Sequence, residues 1–139
     1  RDGEAKRAFV VHRSSIGAIE RFMAILIEHY AGAFPVWLSP VQVQVIAVSD
    51  KHQAYAKKIT DALNKESVRV ELTDSNETLG KRIREGETQK IPYLLVVGDK
   101  EVKAKSVAVR KRGKGDIGTQ KISKFVDDIK KEISNKTSS

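Results

Sequence analysis

Three short runs of β-branched and apolar residues, separated by segments with helical spacing, constrain this chain to an α/β fold. The runs lie at residues 41–48, 68–72 and 93–97. The first alternates and then becomes nearly all apolar, as a strand that is covered on both faces does. Between the runs, apolar residues recur every three to four positions. This order predicts a βαβαβ unit, whose right-handed crossovers favour a parallel sheet.

The sequence after the third run predicts an antiparallel edge and a closing helix. Gly98-Asp99-Lys100 predicts a tight turn into Glu101-Val102, and Val107 alternates with Val109 as in a strand. Apolar residues from Ile122 to Ile133 share one helix face. We therefore predict a three-layer α/β domain with a mixed five-stranded sheet, antiparallel edge strands and a C-terminal helix.

The first forty residues follow a different pattern. Phe9-Val10-Val11 predicts a short strand, and apolar residues at steps of three and four predict a helix from Ser15 to Ala31. Gly32 and Pro35 end that helix, and a boundary follows at Ser39-Pro40. Because the chain opens on Arg1 without a methionine, we expect a fragment of a larger protein.

Composition excludes several classes of protein. The chain has 139 residues and no cysteine, so it has no disulfide framework and no cysteine nucleophile, which favours a cytoplasmic location. The longest apolar stretch, residues 22–38, is interrupted by Glu28, His29 and Pro35, so no membrane span is predicted. His12 lacks the neighbouring ligands of a complete metal site.

Positive charge concentrates between residues 100 and 114, in a chain with a net charge of +8. Two interpretations stay open for this run: an anion-binding face, or an edge strand that lysine keeps soluble. Residues 113–118 match GxGxxG, but only one helix follows, without the strand and acidic residue of a dinucleotide site. We predict a flexible basic connection there.

Four blocks carry a family resemblance. They are residues 12–22 (HRSSIGAIERF), 28–43 (EHYAGAFPVWLSPVQV), 91–102 (IPYLLVVGDKEV) and 107–110 (VAVR). The first two resemble motif 3 of the threonyl-tRNA synthetase family and its junction to the anticodon-binding domain, and the others resemble the same family. The resemblance implies that residues 1–38 end a class II catalytic domain and that residues 39–139 form an anticodon-binding domain.

For the catalytic part, the resemblance implies two site residues. Arg21 is the motif 3 arginine, which contacts ATP with its planar guanidinium, and His12 is one zinc ligand, with the others outside the chain. Ala18 stands where many family members have serine. The whole enzyme is then a homodimer that attaches threonine to threonine tRNA. We expect the fragment alone to be inactive, because the missing catalytic domain supplies the other motifs.

For the anticodon, the resemblance implies that five residues bind the bases: Asn76, Arg84, Lys90, Glu101 and Arg110. Lys90 stands where family members can have arginine, and lysine cannot form the bidentate fork. The basic residues Lys111, Arg112 and Lys114 are expected to contact RNA phosphates.

Less specific interpretations of these residues stay open. Asn76 can cap a helix, Arg84 can pair with Glu85 or Glu87, and Glu101 can stabilise a turn. Two other functions also stay open: a non-catalytic RNA-binding module of the same fold, or the anticodon-binding domain of a prolyl-, histidyl- or glycyl-tRNA synthetase.

Overall fold

A computed structural model describes residues 3, 5, 7–14 and 17–137 of the chain. Within these residues the chain forms five strands and five α-helices, with one 3₁₀ turn at Asp50–His52. The helices are α1 (Ile19–Tyr30), α2 (Gln53–Lys65), α3 (Leu79–Thr88), α4 (Asp99–Ala104) and α5 (Ile122–Ser134). The strands are β1 (Val43–Ala47), β2 (Val70–Thr73), β3 (Tyr93–Val97), β4 (Ser106–Lys111) and β5 (Gly115–Lys121).

The five strands form one mixed sheet in the order β2-β1-β3-β4-β5. β1 pairs in parallel with β2 and β3, whereas β4 is antiparallel to β3 and β5 is antiparallel to β4. All five residues of the interior strand β1 are buried, including the polar Gln44, as expected for a strand that is covered on both faces. The predicted mixed five-stranded sheet is confirmed.

Helices cover both faces of the sheet. On one face, Leu63 of α2 and Phe125 of α5 pack in the larger core cluster, together with Val45 and Leu95 of the strands. On the other face, α3 packs its apolar residues against a smaller cluster that contains Ile46, Ile91 and Leu94. The architecture is therefore three-layered, and most residues of the edge strand β5 are exposed.

Two predictions for the region after β3 were wrong. Glu101 and Val102 lie in α4 rather than in an edge strand, because Glu101 Oε2 accepts a hydrogen bond from the Gly98 N–H at 2.9 Å and caps the new helix. Residues 113–118 are not a flexible connection. They form a tight turn and most of β5, in which Gly113 and Gly115 supply the positive φ angles.

The N-terminal segment also differs from expectation. Phe9-Val10-Val11 is not a strand; these side chains are exposed, and an isolated strand has no partner for its hydrogen bonds. The helix α1 begins at Ile19, while Ser15 and Ile16 lie outside the described residues. No residue of α1 is buried. None of the helices in the described residues is long and apolar enough to cross a membrane.

Candidate nucleic-acid interface

A groove of about 240 Å³ opens between the end of α3 and the β4–β5 hairpin. It is lined by Glu87, Ile91, Leu94, Arg110, Lys111, Arg112, Gly113 and Gly115. We call it the α3–β4 groove. Buried Ile91 and Leu94 give it an apolar floor, and charged groups stand at its walls. A flat aromatic base matches this combination of an apolar surface and polar edges.

Arg110 carries the polar chemistry of the groove. It lies opposite Leu94 in the β3–β4 register, and its Nη2 donates to Glu87 Oε1 at 3.2 Å. The Arg110 Nε is buried and has no hydrogen-bond partner within residues 3–137 that are described. The strand pairing shifts between Val109 and Arg110, and such irregularities re-aim side chains beside functional sites. Of the five N–H donors of the guanidinium, one pairs with Glu87 and the Nε–H is buried, so the other Nη donors of Arg110 remain for a ligand.

Arg84 lies on the solvent side of α3. Its side chain is exposed and makes no ion pair in the described part of the chain. Glu87, which the sequence offered as a partner for Arg84, pairs with Arg110 instead. An arginine that is free on an exposed helix face remains able to reach RNA.

Asn76 and Glu101 follow the carboxyl ends of the parallel strands β2 and β3, at the end of the sheet opposite the α3–β4 groove. Asn76 is exposed in the loop after β2 and does not cap α3, because Thr78 Oγ1 accepts from the Lys81 N–H at 3.4 Å. Glu101 caps α4 through one carboxylate oxygen. The helix α3 runs between these residues and the α3–β4 groove.

Two hydrogen bonds tie together the loops at this edge. The His52 Nε2 and Asp99 Oδ1 atoms are 3.0 Å apart, and Ser75 donates to Asp50. The hydrogen bond from His52 holds the pKa of Asp99 below its ordinary value of 3.8, with a further contribution from the charge of His52. These contacts fix the segments that carry Asn76 and Glu101.

The side chains of Lys90 and Arg112 both donate to backbone carbonyls. The Lys90 Nζ donates to the Ala31 oxygen. Arg112 donates to the oxygens of Lys90 at 2.5 Å, Ala33 at 3.2 Å and Phe34 at 2.7 Å. Burial lowers the pKa of Arg112. Both side chains were expected to contact RNA, but their terminal nitrogens bind the protein backbone.

Lys111 and Lys114 differ in whether their amines already have a partner in the protein. Lys111 points to the other face of the sheet, where its Nζ lies 3.1 Å from Glu132 Oε1 and 5.1 Å from the centre of the Tyr93 ring. Lys114 is exposed in the turn between β4 and β5. Its amine makes no ion pair in the part of the chain that is described. Of the two, Lys114 is the better placed for a phosphate.

The residues expected to act in catalysis lie apart from this surface. Arg21 is exposed on α1, and His12 is exposed in a segment without regular structure. In the described residues, no three potential metal ligands of the His, Cys, Asp or Glu type come together. The roles of Arg21 and His12 remain predictions.

The sequence did not indicate the partner of Arg110. Glu87 is 23 residues away, and nothing local links a residue on α3 to one on β4. The contact between Arg110 and Glu87 depends on the strand register, which sets Arg110 beside Leu94 near the end of α3.

Comparison with known protein families shows which family the chain belongs to. The model of the family described as "Anticodon binding domain" matches residues 42–132, which is most of the sheet and its helices. The chain therefore belongs to the anticodon-binding domain family.

Its relatives narrow the class further. Over 97% of its length the chain is 57% identical to a threonine–tRNA ligase from Carboxydothermus hydrogenoformans. Over 98% it is 51% identical to a threonine–tRNA ligase from Clostridium botulinum. The chain spans about 21% of the length of each relative. The resemblance to threonyl-tRNA synthetases is thereby confirmed.

Solved structures agree with this assignment. The RNA binding domain of threonyl-tRNA synthetase from Cryptosporidium parvum Iowa II superposes with a TM-score of 0.78 and 30% identity, covering 84% of this chain and 30% of its own. Prolyl-tRNA synthetase from Cryptosporidium parvum superposes with a TM-score of 0.65 and 25% identity, covering 73% of this chain and 22% of its own. The predicted α/β fold is confirmed by the first match.

Proposed function

We propose that this chain binds the anticodon of threonine tRNA as part of a threonine–tRNA ligase, and that the α3–β4 groove takes one unpaired anticodon base. The observation that carries the proposal is the placement of Arg110. Its guanidinium is held by Glu87 above the apolar floor of Ile91 and Leu94. A hydrogen-bond donor beside an apolar floor is what an unstacked base requires.

The chemistry of the groove favours guanine, the middle base of threonine anticodons. Guanine offers two acceptors, O6 and N7, that a guanidinium can contact together. Its Watson–Crick edge carries donors that a carboxylate accepts, and Glu87 supplies a carboxylate beside Arg110. Three residues are proposed to contact the remaining bases of the anticodon loop: Asn76 in the loop before α3, Arg84 on α3 and Glu101 on α4.

Fluorescence anisotropy with labelled tRNA transcripts tests this proposal. Arg110→Ala should weaken binding to threonine tRNA and reduce the preference for G at the middle anticodon position, by about 1–3 kcal/mol of discrimination. Lys58→Ala, on the exposed side of α2, is the matched control and should change neither quantity. An equal loss for all transcripts would assign Arg110 to phosphate contact.

The basic turn is proposed to contribute affinity without sequence preference. Lys114→Ala should lower affinity for any RNA and reduce the slope of log K against log salt by about 0.7, the value for one lost contact to single-stranded phosphate. Lys111→Ala should have a smaller effect, because its amine already pairs with Glu132. If Lys114→Ala leaves both quantities unchanged, the basic run is a solvated rim.

The activity of the whole protein is part of the proposal. Residues 1–38 are proposed to belong to a class II catalytic domain in which Arg21 contacts ATP, within a cytoplasmic homodimer. His12 is proposed, on the strength of the resemblance, as one zinc ligand whose fellow ligands lie outside the chain. The apolar residues of α1, such as Ile19 at 68% exposure, support a covering partner for this helix.

The likeness to a prolyl-tRNA synthetase gives the proposal its main competitor. Transcripts of threonine, proline, histidine and glycine tRNAs, compared under one salt concentration, separate the alternatives. Tightest binding to threonine tRNA is expected. Tightest binding to another of these tRNAs would assign the chain to another class II synthetase, and equal binding to all would assign it to a general RNA-binding module.

A further inference from the structure

We infer that Arg112 and Lys90 are positioning residues that fix the end of α1 to the anticodon-binding domain, and that they do not contact RNA. They act on residues 31–39, the first part of the connection between α1 and β1, which we call the connecting segment. For Arg112 the inference rests on three hydrogen bonds to carbonyl oxygens. Two of these, Ala33 and Phe34, belong to the connecting segment, and the third belongs to Lys90.

Lys90 completes the contact from the other side. Its backbone has a φ angle of 58°, so the turn after α3 directs its side chain toward the end of α1. The Nζ donates to the Ala31 oxygen, which lies at the C-cap of α1. A cation at this position also interacts favourably with the helix dipole. The carbonyl oxygen of Lys90 accepts from Arg112, so the two residues support each other.

Two further side chains hold the rest of the connecting segment. Arg69 donates to the oxygens of Trp37 and Ser39, each at 2.9 Å. Gln42 donates to the Val36 oxygen at 2.8 Å. Together the four side chains engage the carbonyls of Ala31, Ala33, Phe34, Val36, Trp37 and Ser39. A connection without helix or strand is thus satisfied by side chains, as buried backbone requires.

The end of α1 is itself compact, so holding the connecting segment also orients the helix. The Gly32 and Ala33 amides donate back to Ile27 and Tyr30 at 3.1 and 2.8 Å, and the Tyr30 and Phe34 rings lie 5.8 Å apart. Arg112 also lines the α3–β4 groove, two residues from Arg110. The groove and α1 are therefore held in one fixed orientation.

Hydrogen exchange of the 139-residue chain, followed by mass spectrometry, tests the inference. In Arg112→Lys, which keeps the charge but loses the fork, the amides of Gly32 and Ala33 should exchange about tenfold faster or more. Lys90→Met, which keeps the aliphatic stem, should also accelerate exchange there. Lys114→Ala is the matched control and should leave these amides protected.

Binding of threonine tRNA under varied salt separates a positioning role from an RNA contact; this arm rests on the proposed function. Arg112→Lys and Arg112→Ala should keep the wild-type salt slope. A slope reduced by about 0.7 in Arg112→Ala and rescued by Arg112→Lys, with exchange at Gly32 and Ala33 unchanged in both, would overturn the inference. If the wild-type chain binds no tRNA, the proposed function fails, and the exchange measurements still decide the role of Arg112 and Lys90.

Discussion

Arg110 Nη2 lies 3.2 Å from Glu87 Oε1, and this ion pair joins β4 to the last turn of α3 across the α3–β4 groove. The two side chains are 31% and 54% exposed, so the pair contributes at most about 1 kcal/mol to folding. The larger consequence of the pair is that it fixes the orientation of the Arg110 guanidinium. A guanidinium that is held before the ligand arrives loses less conformational freedom on binding.

Glu87→Gln should reduce base discrimination without unfolding the protein. The amide removes the charge that holds Arg110, and it leaves one acceptor where a carboxylate offered two. We expect the preference for G at the middle anticodon position to fall several-fold, while the free energy of unfolding changes by less than about 1 kcal/mol. Anisotropy titrations with transcripts that differ only at that base, together with urea unfolding, measure the two quantities.

Glu85→Gln is the matched control for this test. Glu85 lies on the same exposed helix, two residues from Glu87, and makes no ion pair within the described residues. It should leave discrimination unchanged. Equal effects of the two substitutions would mean that general negative charge near the groove, and not the contact with Arg110, sets the preference.

Gly86→Ala should destabilise the protein although alanine is the better helix former. The gain in helix propensity is about 1 kcal/mol. However, a Cβ at residue 86 would lie 2.7 Å from Leu94 Cδ2 and would also clash with Gln44 Oε1. Overpacking of this kind costs about 1–3 kcal/mol. Urea unfolding should therefore show a net loss, and displacement of Leu94 should disturb the floor of the α3–β4 groove.

Gly80 gives the comparison on the same helix. A Cβ there meets no atom within 4 Å, and the residue is exposed. Gly80→Ala should raise the free energy of unfolding by up to about 1 kcal/mol. The contrast between the two glycines separates steric crowding from helix propensity. A Gly86→Ala protein as stable as Gly80→Ala would show that α3 shifts to relieve the crowding.

Local patterns in the sequence were sufficient for most of the fold. The run at residues 41–48, which alternates and then becomes nearly all apolar, predicts β1 because helices cover both faces of this strand. The predicted turn at Gly98-Asp99-Lys100 into Glu101-Val102 was wrong because the helix found there, Asp99–Ala104, has only six residues, too few to show a helical period. The capping contact between Glu101 and Gly98 stabilises the first turn of this helix.

The site was less accessible from the sequence because its contacts join distant residues. Arg112 reaches the carbonyl of Phe34 across 78 residues, so the basic run could not reveal that this arginine holds protein backbone. Lys111 and Arg112 are neighbours, yet Lys111, the last residue of β4, contacts Glu132 of α5, whereas Arg112, in the turn that follows, contacts Phe34. Charge counts alone therefore overstate how many cations in the run are free for RNA.

Tyr93→Phe tests the contact between β3 and α5. The buried Tyr93 hydroxyl donates to Glu132 Oε2 at 2.6 Å, and losing a hydrogen bond to a charged group should cost about 1.5 kcal/mol. Burial, followed by the hydrogen bond and charge of Glu132, raises the pKa of Tyr93 above its ordinary value of 10.0.

The raised pKa also fixes the sign of a pH effect. The neutral hydroxyl is favoured in the folded state, so its stabilisation is complete below the unfolded pKa and is lost as the pH rises through the folded pKa. The stability difference between the wild type and Tyr93→Phe should shrink between about pH 8 and about pH 11. Urea unfolding at both values measures it, and a constant difference would contradict the assignment.

Asp99 gives the corresponding test on the acid side. Its pKa is lowered from 3.8, mainly by the hydrogen bond with His52 and then by the charge of His52. A depressed folded pKa stabilises the protein above the unfolded pKa, and that stability is lost as the pH falls through the folded pKa. His52→Leu should therefore raise the Asp99 pKa toward 3.8 and flatten the acid limb of the stability profile.

Titration of the Asp99 carboxyl by NMR measures this shift directly. Lys103→Ala removes one of the weaker influences that lower the Asp99 pKa, so it should produce a smaller rise than His52→Leu. A larger rise in Lys103→Ala would mean that surface charge, and not the 3.0 Å contact with His52, sets the pKa. Because this contact joins the loop after β1 to α4, its loss should also make the α4 segment that carries Glu101 exchange its amides faster.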